Sequence, residues 1–119
     1  MHPTSLQGII AYPVTPFLEG GVGIDETAFD KVLRALLATG PAAVAILGSA
    51  GESAYLRDDE WRLAVELGVR SIAGEVPLIV GIGELTTAAA VAKAQFAEKA
   101  GADRLMVIPI SYWKLTESE

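Results

Sequence analysis

Ala42-Ala43-Val44-Ala45-Ile46-Leu47 is an apolar run, and Gly48-Ser49-Ala50-Gly51-Glu52 follows it directly. The apolar run is too short for an independent helix and predicts a buried parallel strand. Glycine, serine and alanine at the carboxyl end of such a strand let backbone N–H groups and one hydroxyl approach a small anionic ligand. Because α/β proteins assemble their sites at that end of the sheet, residues 48–52 are the first candidate site.

The composition limits the class of protein. The chain has 119 residues, a formal net charge of -6 and no cysteine. This length gives one core, and the scattered basic residues argue against nucleic acid, which requires clustered Lys and Arg. The lack of cysteine excludes disulfides and thiolate metal sites, and it fits a cytoplasmic protein. No apolar run approaches the roughly 18 residues that a spanning helix needs, so we expect no membrane role.

Strands and helices alternate along the whole chain. Asp25 and Thr86 or Thr87 are residue types that begin helices, and Gly40 and Gly101 are suited to end them in the left-handed conformation. Strands that are separated by single helices pair in parallel with the helices outside, so the sequence predicts an α/β fold with a parallel sheet. The predicted strands are 8–14, 42–47, 77–82 and 104–109.

The last four residues predict a further element. Thr116-Glu117-Ser118-Glu119 has the spacing of a capping box, which indicates the start of a fourth helix. Four βα units of a parallel sheet also leave two edge strands unpaired, which a closed barrel avoids. We therefore expect residues 1–119 to be the amino-terminal half of a single, larger barrel domain.

The order of the motifs resembles the dihydrodipicolinate synthase and N-acetylneuraminate lyase family over essentially the whole chain. The resemblance implies the first four βα units of a (β/α)8 TIM barrel. It also implies a lyase or synthase that joins pyruvate, or a related small 2-oxo acid, to a lysine as a Schiff base. It implies no cofactor and no metal, and a homo-oligomer. The motifs are Tyr12-Pro13-Val14-Thr15-Pro16-Phe17, Gly48-Ser49-Ala50-Gly51-Glu52, Gly81-Ile82-Gly83, and Gly101-Ala102-Asp103 before Val107-Ile108-Pro109.

The same resemblance assigns roles in the loop at 48–52. Ser49 matches a hydroxyl of the family's proton relay, and a hydroxyl can pass a proton because it both donates and accepts. Ala50 matches a residue that binds the pyruvate carboxylate, and as alanine it offers the backbone N–H alone. Gly51 lets the loop approach the ligand, and Glu52 is expected to tie the loop to neighbouring backbone.

The chain departs from the family after the fourth strand. The family often has two aromatic hydroxyls directly after the proline, the second of which acts in the relay across a subunit contact. Ile110 and Ser111 stand there, and Tyr112 comes one position late. Tyr112 is therefore a candidate relay residue, with a subunit contact as the equal alternative. The departure favours a divergent branch with another 2-oxo acid or another second substrate.

The family's Schiff-base lysine and its assisting tyrosine lie on the sixth and fifth strands, beyond Glu119. The four lysines of this chain are predicted on helices or in the terminal loop: Lys31, Lys93, Lys99 and Lys114. None is expected in a desolvated interior that would lower the pKa of its amine. We therefore expect the 119-residue chain alone to be inactive.

Simpler interpretations remain for individual residues and for the whole chain. Ser49 could merely form a turn, and Tyr12 favours packing over binding. Gly81-Ile82-Gly83 superficially resembles a dinucleotide loop, but Thr86 stands where a third glycine belongs, so close helix–strand packing is favoured. The chain as a whole could also be a non-catalytic half-barrel that self-associates, or complements another chain, as a structural protein.

Overall fold

The computed structural model describes residues 5–111 and 114–118. Four strands alternate with three α-helices along the chain, and a short 3₁₀ turn follows the second strand. The elements are β1 (Ile10–Ala11), α1 (Glu26–Leu37), β2 (Ala43–Ile46), the 3₁₀ turn (Ser53–Tyr55), α2 (Asp58–Ile72), β3 (Leu78–Glu84), α3 (Thr87–Ala100) and β4 (Arg104–Pro109).

The strands form one parallel sheet in the order β1-β2-β3-β4. Ala45 lies opposite Ile79 across β2 and β3, and Gly81 lies opposite Met106 across β3 and β4. Each neighbouring pair of strands is joined by a crossover that contains one α-helix. The predicted parallel α/β fold is confirmed.

Two predicted strands differ from the observed strands by at least two residues at one end or both. The first strand was predicted over residues 8–14, but its ladder covers Ile10 and Ala11 alone. Pro13 has no N–H to donate to a ladder, which accounts for the early end of the strand. The third strand continues two residues beyond the predicted end, because Gly83 and Glu84 pair with β4.

The two faces of the sheet differ in size and chemistry. The face toward the helices carries the main core, in which Leu33, Val44, Ile46, Trp61 and Val80 are buried. The opposite face, here called the inner face, carries a small cluster of Ala43, Ala45 and Ile79, with Leu6, Ile10 and Met106 packed against it.

The predicted helix ends are confirmed where local chemistry determines them. Asp25 Oδ1 accepts a hydrogen bond from the Ala28 N–H at 3.0 Å, and Thr86 Oγ1 accepts one from the Ala89 N–H at 3.2 Å. Gly40 and Gly101 are left-handed, with φ of 73° and 115°. Glu117 and Ser118 form a turn and Glu119 lies outside the described residues, so the fourth helix that residues 116–119 indicate stays a prediction.

In the described part of the chain, no helix combines the length and apolar character needed to cross a membrane.

Candidate functional site

The candidate site is the loop at 48–52, which follows β2 in the middle of the sheet. Leu47 has a left-handed backbone with φ of 60°, so the chain turns sharply at the end of β2. Two tight turns follow, in which the Gly51 N–H donates to the Gly48 carbonyl at 3.1 Å and the Glu52 N–H to the Ser49 carbonyl at 3.0 Å. Gly48 and Gly51 are buried, whereas Ser49 and Ala50 are exposed. These two residues therefore form the exposed tip of the loop.

The buried glycines of this loop are required by close contact. A Cβ at Gly51 would lie 2.9 Å from the Leu47 nitrogen, and a Cβ at Gly48 would lie 3.3 Å from the Met106 Cε. Backbone atoms cannot move aside as a flexible side chain can, so the contact at Gly51 is the stricter of the two. The loop is consequently folded tightly on itself and onto the inner face.

Gly81 on β3 lies beneath this loop. A Cβ at position 81 would overlap the Leu47 carbonyl group. The prediction that Gly81 and Gly83 serve helix–strand packing is wrong, because both lie on the inner face. A Cβ at Gly83 would lie 2.7 Å from Ile110 Cδ1, so the segment after β4 also crosses closely over β3. The two glycines therefore leave space for two segments that cross over β3.

Thr15 holds the loop from the neighbouring strand. Its side chain is 3% exposed, and its hydroxyl donates to the Gly51 carbonyl at 2.7 Å. This bond joins the segment after β1 to the end of the candidate site, 36 residues away in sequence. Thr15 is not among the site residues that the sequence predicts.

The side chains of Tyr12 and Met106 lie beside Gly48 on the inner face. The Tyr12 ring lies 3.4 Å from the point where a Cβ of Gly48 would stand, and its hydroxyl lies 3.9 Å from Met106 Sδ. Tyr12 lies two residues after Ile10, which packs on the inner face. Side chains two residues apart in an extended chain point to the same face, so Tyr12 also lies on the inner face. The ring packs as expected, but half of the residue remains exposed at the inner face.

Glu52 ends the loop through its backbone. Its φ of 54° is left-handed, and its carbonyl accepts a hydrogen bond from the Tyr55 N–H at 2.9 Å. The exposed side chain makes no capping hydrogen bond to the 3₁₀ turn that follows. The expected tie to neighbouring backbone is therefore made by the main chain of Glu52 and not by its carboxylate.

All four lysines lie in the described part of the chain, and none belongs to a strand. Lys31 and Lys99 are exposed on α1 and α3, and Lys114 is exposed after β4. Lys93 on α3 pairs with Glu84 at the end of β3, and its Nζ lies 4.7 Å above the Trp61 ring. That ion pair lies on the helix side of the sheet, across β3 from Ser49.

The remaining predicted site residue is Tyr112, which lies outside the described residues. Ile110 and Ser111, which precede it, are exposed. Within residues 5–111 and 114–118, no group of three or more His, Cys, Asp or Glu side chains is arranged to hold a metal ion.

Comparison with known proteins assigns this arrangement to a family. The model of the dihydrodipicolinate synthetase family matches residues 5–119. A curated relative, the 4-hydroxy-tetrahydrodipicolinate synthase of Bartonella quintana, is 39% identical over 109 residues and is matched by 92% of this chain.

Solved structures agree with that match in fold. A candidate dihydrodipicolinate synthetase from Pseudomonas aeruginosa is 48% identical with a TM-score of 0.91 over 96% of this chain. The prophage protein YagE of Escherichia coli K12, solved in complex with pyruvate, is 29% identical with a TM-score of 0.86 over 93% of this chain. This chain spans 37% to 39% of the length of these three relatives.

Proposed function

This chain belongs to the dihydrodipicolinate synthetase family, and we propose that it is the amino-terminal half of a (β/α)8 barrel enzyme. The complete enzyme forms a Schiff base between a lysine and pyruvate or a related 2-oxo acid, and it acts as a lyase or synthase. The observation that carries the proposal is the position of Ser49 and Ala50. They form the exposed tip of a tightly held loop at the carboxyl edge of the sheet, where parallel barrels assemble their sites.

The loop supports a division of roles between two adjacent residues. The Ala50 N–H can donate to the carboxylate of the 2-oxo acid, and Gly51 lets the backbone approach closely. When the lysine amine attacks the ketone, the C–N bond forms and water leaves, which requires protons to move from nitrogen to oxygen. The Ser49 hydroxyl can accept and donate in that transfer. Tyr112 remains a proposed second relay residue.

The hydrogen bond from Thr15 to Gly51 supports the same assignment. Preorganised donors are effective in catalysis because they need not reorganise during the reaction. The buried hydroxyl of Thr15 holds the loop at 48–52 by a hydrogen bond. The lack of a side chain at Gly81 lets the same loop pack directly on β3. A loop that merely connects β2 to α2 would not need both constraints.

The imine lysine must come from outside residues 1–119 in this proposal, because the strands described here carry no lysine. Borohydride reduction in the presence of pyruvate tests it, since hydride adds to the imine carbon and fixes pyruvate to the lysine permanently. The complete barrel that contains this sequence should gain one reduced pyruvate adduct, and the isolated chain should gain none. Lack of an adduct in the complete barrel would overturn the proposal.

A second candidate function is a non-catalytic half-barrel that associates with itself or with another chain. It is favoured by the open edges of the sheet, because β1 and β4 each pair on one side alone within residues 5–111 and 114–118. Exposed Leu105, Val107 and Ile108 on β4 add apolar surface beside one open edge. Unpaired strand edges template pairing with other chains. Sedimentation of the isolated chain as a stable compact monomer at micromolar concentration would count against this candidate.

A further inference from the structure

The Tyr12 side chain is placed beside the loop that carries Ser49 and Ala50. The point where a Cβ of Gly48 would stand lies 3.4 Å from Tyr12 Cδ1 and 3.8 Å from Tyr12 Cε1. The aromatic ring therefore occupies the space that a side chain at position 48 would fill. Because Gly48 is followed directly by Ser49, the ring forms a wall of the same space that these residues border.

The Tyr12 hydroxyl has unused hydrogen-bonding capacity. Its partner among the described residues is Met106 Sδ at 3.9 Å, and a thioether sulfur is a weak acceptor. Tyr12 is 50% exposed on the inner face within residues 5–111 and 114–118, so none of these residues covers its side chain completely. A stronger acceptor than sulfur would take this hydrogen bond.

Position 50 of the loop, beside which the proposed function places the carboxylate, has no side-chain donor. Ala50 has a methyl group, so it offers the N–H and no hydroxyl. A carboxylate has two oxygens and accepts several hydrogen bonds, which are stronger than hydrogen bonds between neutral groups. A second donor on the adjacent wall would fit such a group.

We propose that Tyr12 is a substrate-binding residue whose hydroxyl donates to the carboxylate of the 2-oxo acid beside the Ala50 N–H. This inference rests on the proposed function, which supplies the 2-oxo acid. The hydroxyl exchanges its sulfur partner for a carboxylate oxygen, and the ring limits the width of the site above Gly48. Tyr12 thereby favours small 2-oxo acids.

The test is Tyr12→Phe in the complete barrel that contains this sequence. The variant keeps the ring and removes the hydroxyl. The amount of borohydride-trapped adduct is measured against pyruvate concentration. We expect the half-saturating concentration to rise about tenfold, because a hydrogen bond to a charged group is lost. The amount of adduct at saturating pyruvate should be unchanged. An interaction that is equally strong in the ground state and in the transition state changes the half-saturating concentration and not the reaction at saturation.

A matched variant keeps the test interpretable. Tyr55→Phe removes a hydroxyl from a residue that is 83% exposed on the 3₁₀ turn, and it should leave half-saturation unchanged. Unchanged half-saturation in Tyr12→Phe, or loss of adduct at saturating pyruvate, would overturn the inference. If the unsubstituted barrel traps no pyruvate, the proposed function fails first, and this inference fails with it.

Discussion

Leu47 and Gly81 are in such close contact that a side chain at position 81 would overlap the Leu47 carbonyl group. The contact arises because Leu47 is left-handed and folds the following loop over the inner face of β3. Gly81 thus belongs to the candidate site although it lies more than 30 residues beyond Ser49 in sequence. The position of the loop depends on the lack of a side chain on a neighbouring strand.

Gly81→Ala should destabilise the complete barrel by about 1–3 kcal/mol, because the overlapping atoms belong to the backbone of the loop. Urea unfolding measures the change. Gly68→Ala is the matched control, because the nearest atom to its new methyl is the end of the Ile46 side chain at 2.6 Å, which can rotate. Alanine is also more favourable than glycine by about 1 kcal/mol in a helix interior, such as position 68 of α2. A change within about 0.5 kcal/mol for Gly81→Ala would contradict the account.

Thr15→Val should lower the rate of pyruvate trapping, because the loop at 48–52 loses its hydrogen bond from the segment after β1. Valine has nearly the same shape but leaves the Gly51 carbonyl buried without this donor, which costs about 1–3 kcal/mol. Thr15→Ser retains the hydroxyl and should restore most of the trapping rate. If valine and serine behave alike, the bond seen at 2.7 Å does not position the site.

Ser49→Ala should reduce turnover of the complete barrel by about ten to a thousandfold if the hydroxyl takes part in proton transfer. Because Ser49 is exposed at the loop tip, the substitution should leave the unfolding midpoint nearly unchanged. Ser53→Ala, four residues further on in the 3₁₀ turn, is the control. Turnover equal to that of the unsubstituted enzyme would assign Ser49 a turn-forming role alone.

Asp30 provides a pH test of the packing of α1 against α2. The Ser71 hydroxyl donates to Asp30 Oδ1 at 2.6 Å and Arg34 Nε to Oδ2 at 2.9 Å, and these bonds hold the pKa of Asp30 below its usual value of 3.8. A carboxyl with a lowered folded-state pKa contributes stability at neutral pH, and this contribution is lost as the pH falls through that pKa.

The difference in unfolding midpoint between the unsubstituted protein and Asp30→Asn should therefore shrink from pH 7 toward pH 3. In Ser71→Ala the largest cause of the shift is removed, so the pKa of Asp30 should move upward when followed by NMR titration. A pKa that is unchanged in Ser71→Ala would show that the hydroxyl does not stabilise the carboxylate.

The fold could be predicted from the sequence where the determining interactions are local. The Asp25 and Thr86 caps each act within three residues, and the strand β2 follows from one apolar run. The missed features depend on contacts between distant segments. Nothing near Thr15 in sequence indicates that its hydroxyl reaches Gly51. The function of Gly81 likewise depends on its close contact with Leu47, which lies more than 30 residues away in sequence.

Borohydride trapping of pyruvate, followed by identification of the modified residue, tests the Schiff-base assignment most directly. We predict one adduct on the complete barrel, located on a lysine outside residues 1–119, and no adduct on the isolated chain. An adduct on Lys31, Lys93, Lys99 or Lys114 would contradict the assignment of the site. A complete barrel that forms no adduct would contradict the proposed chemistry.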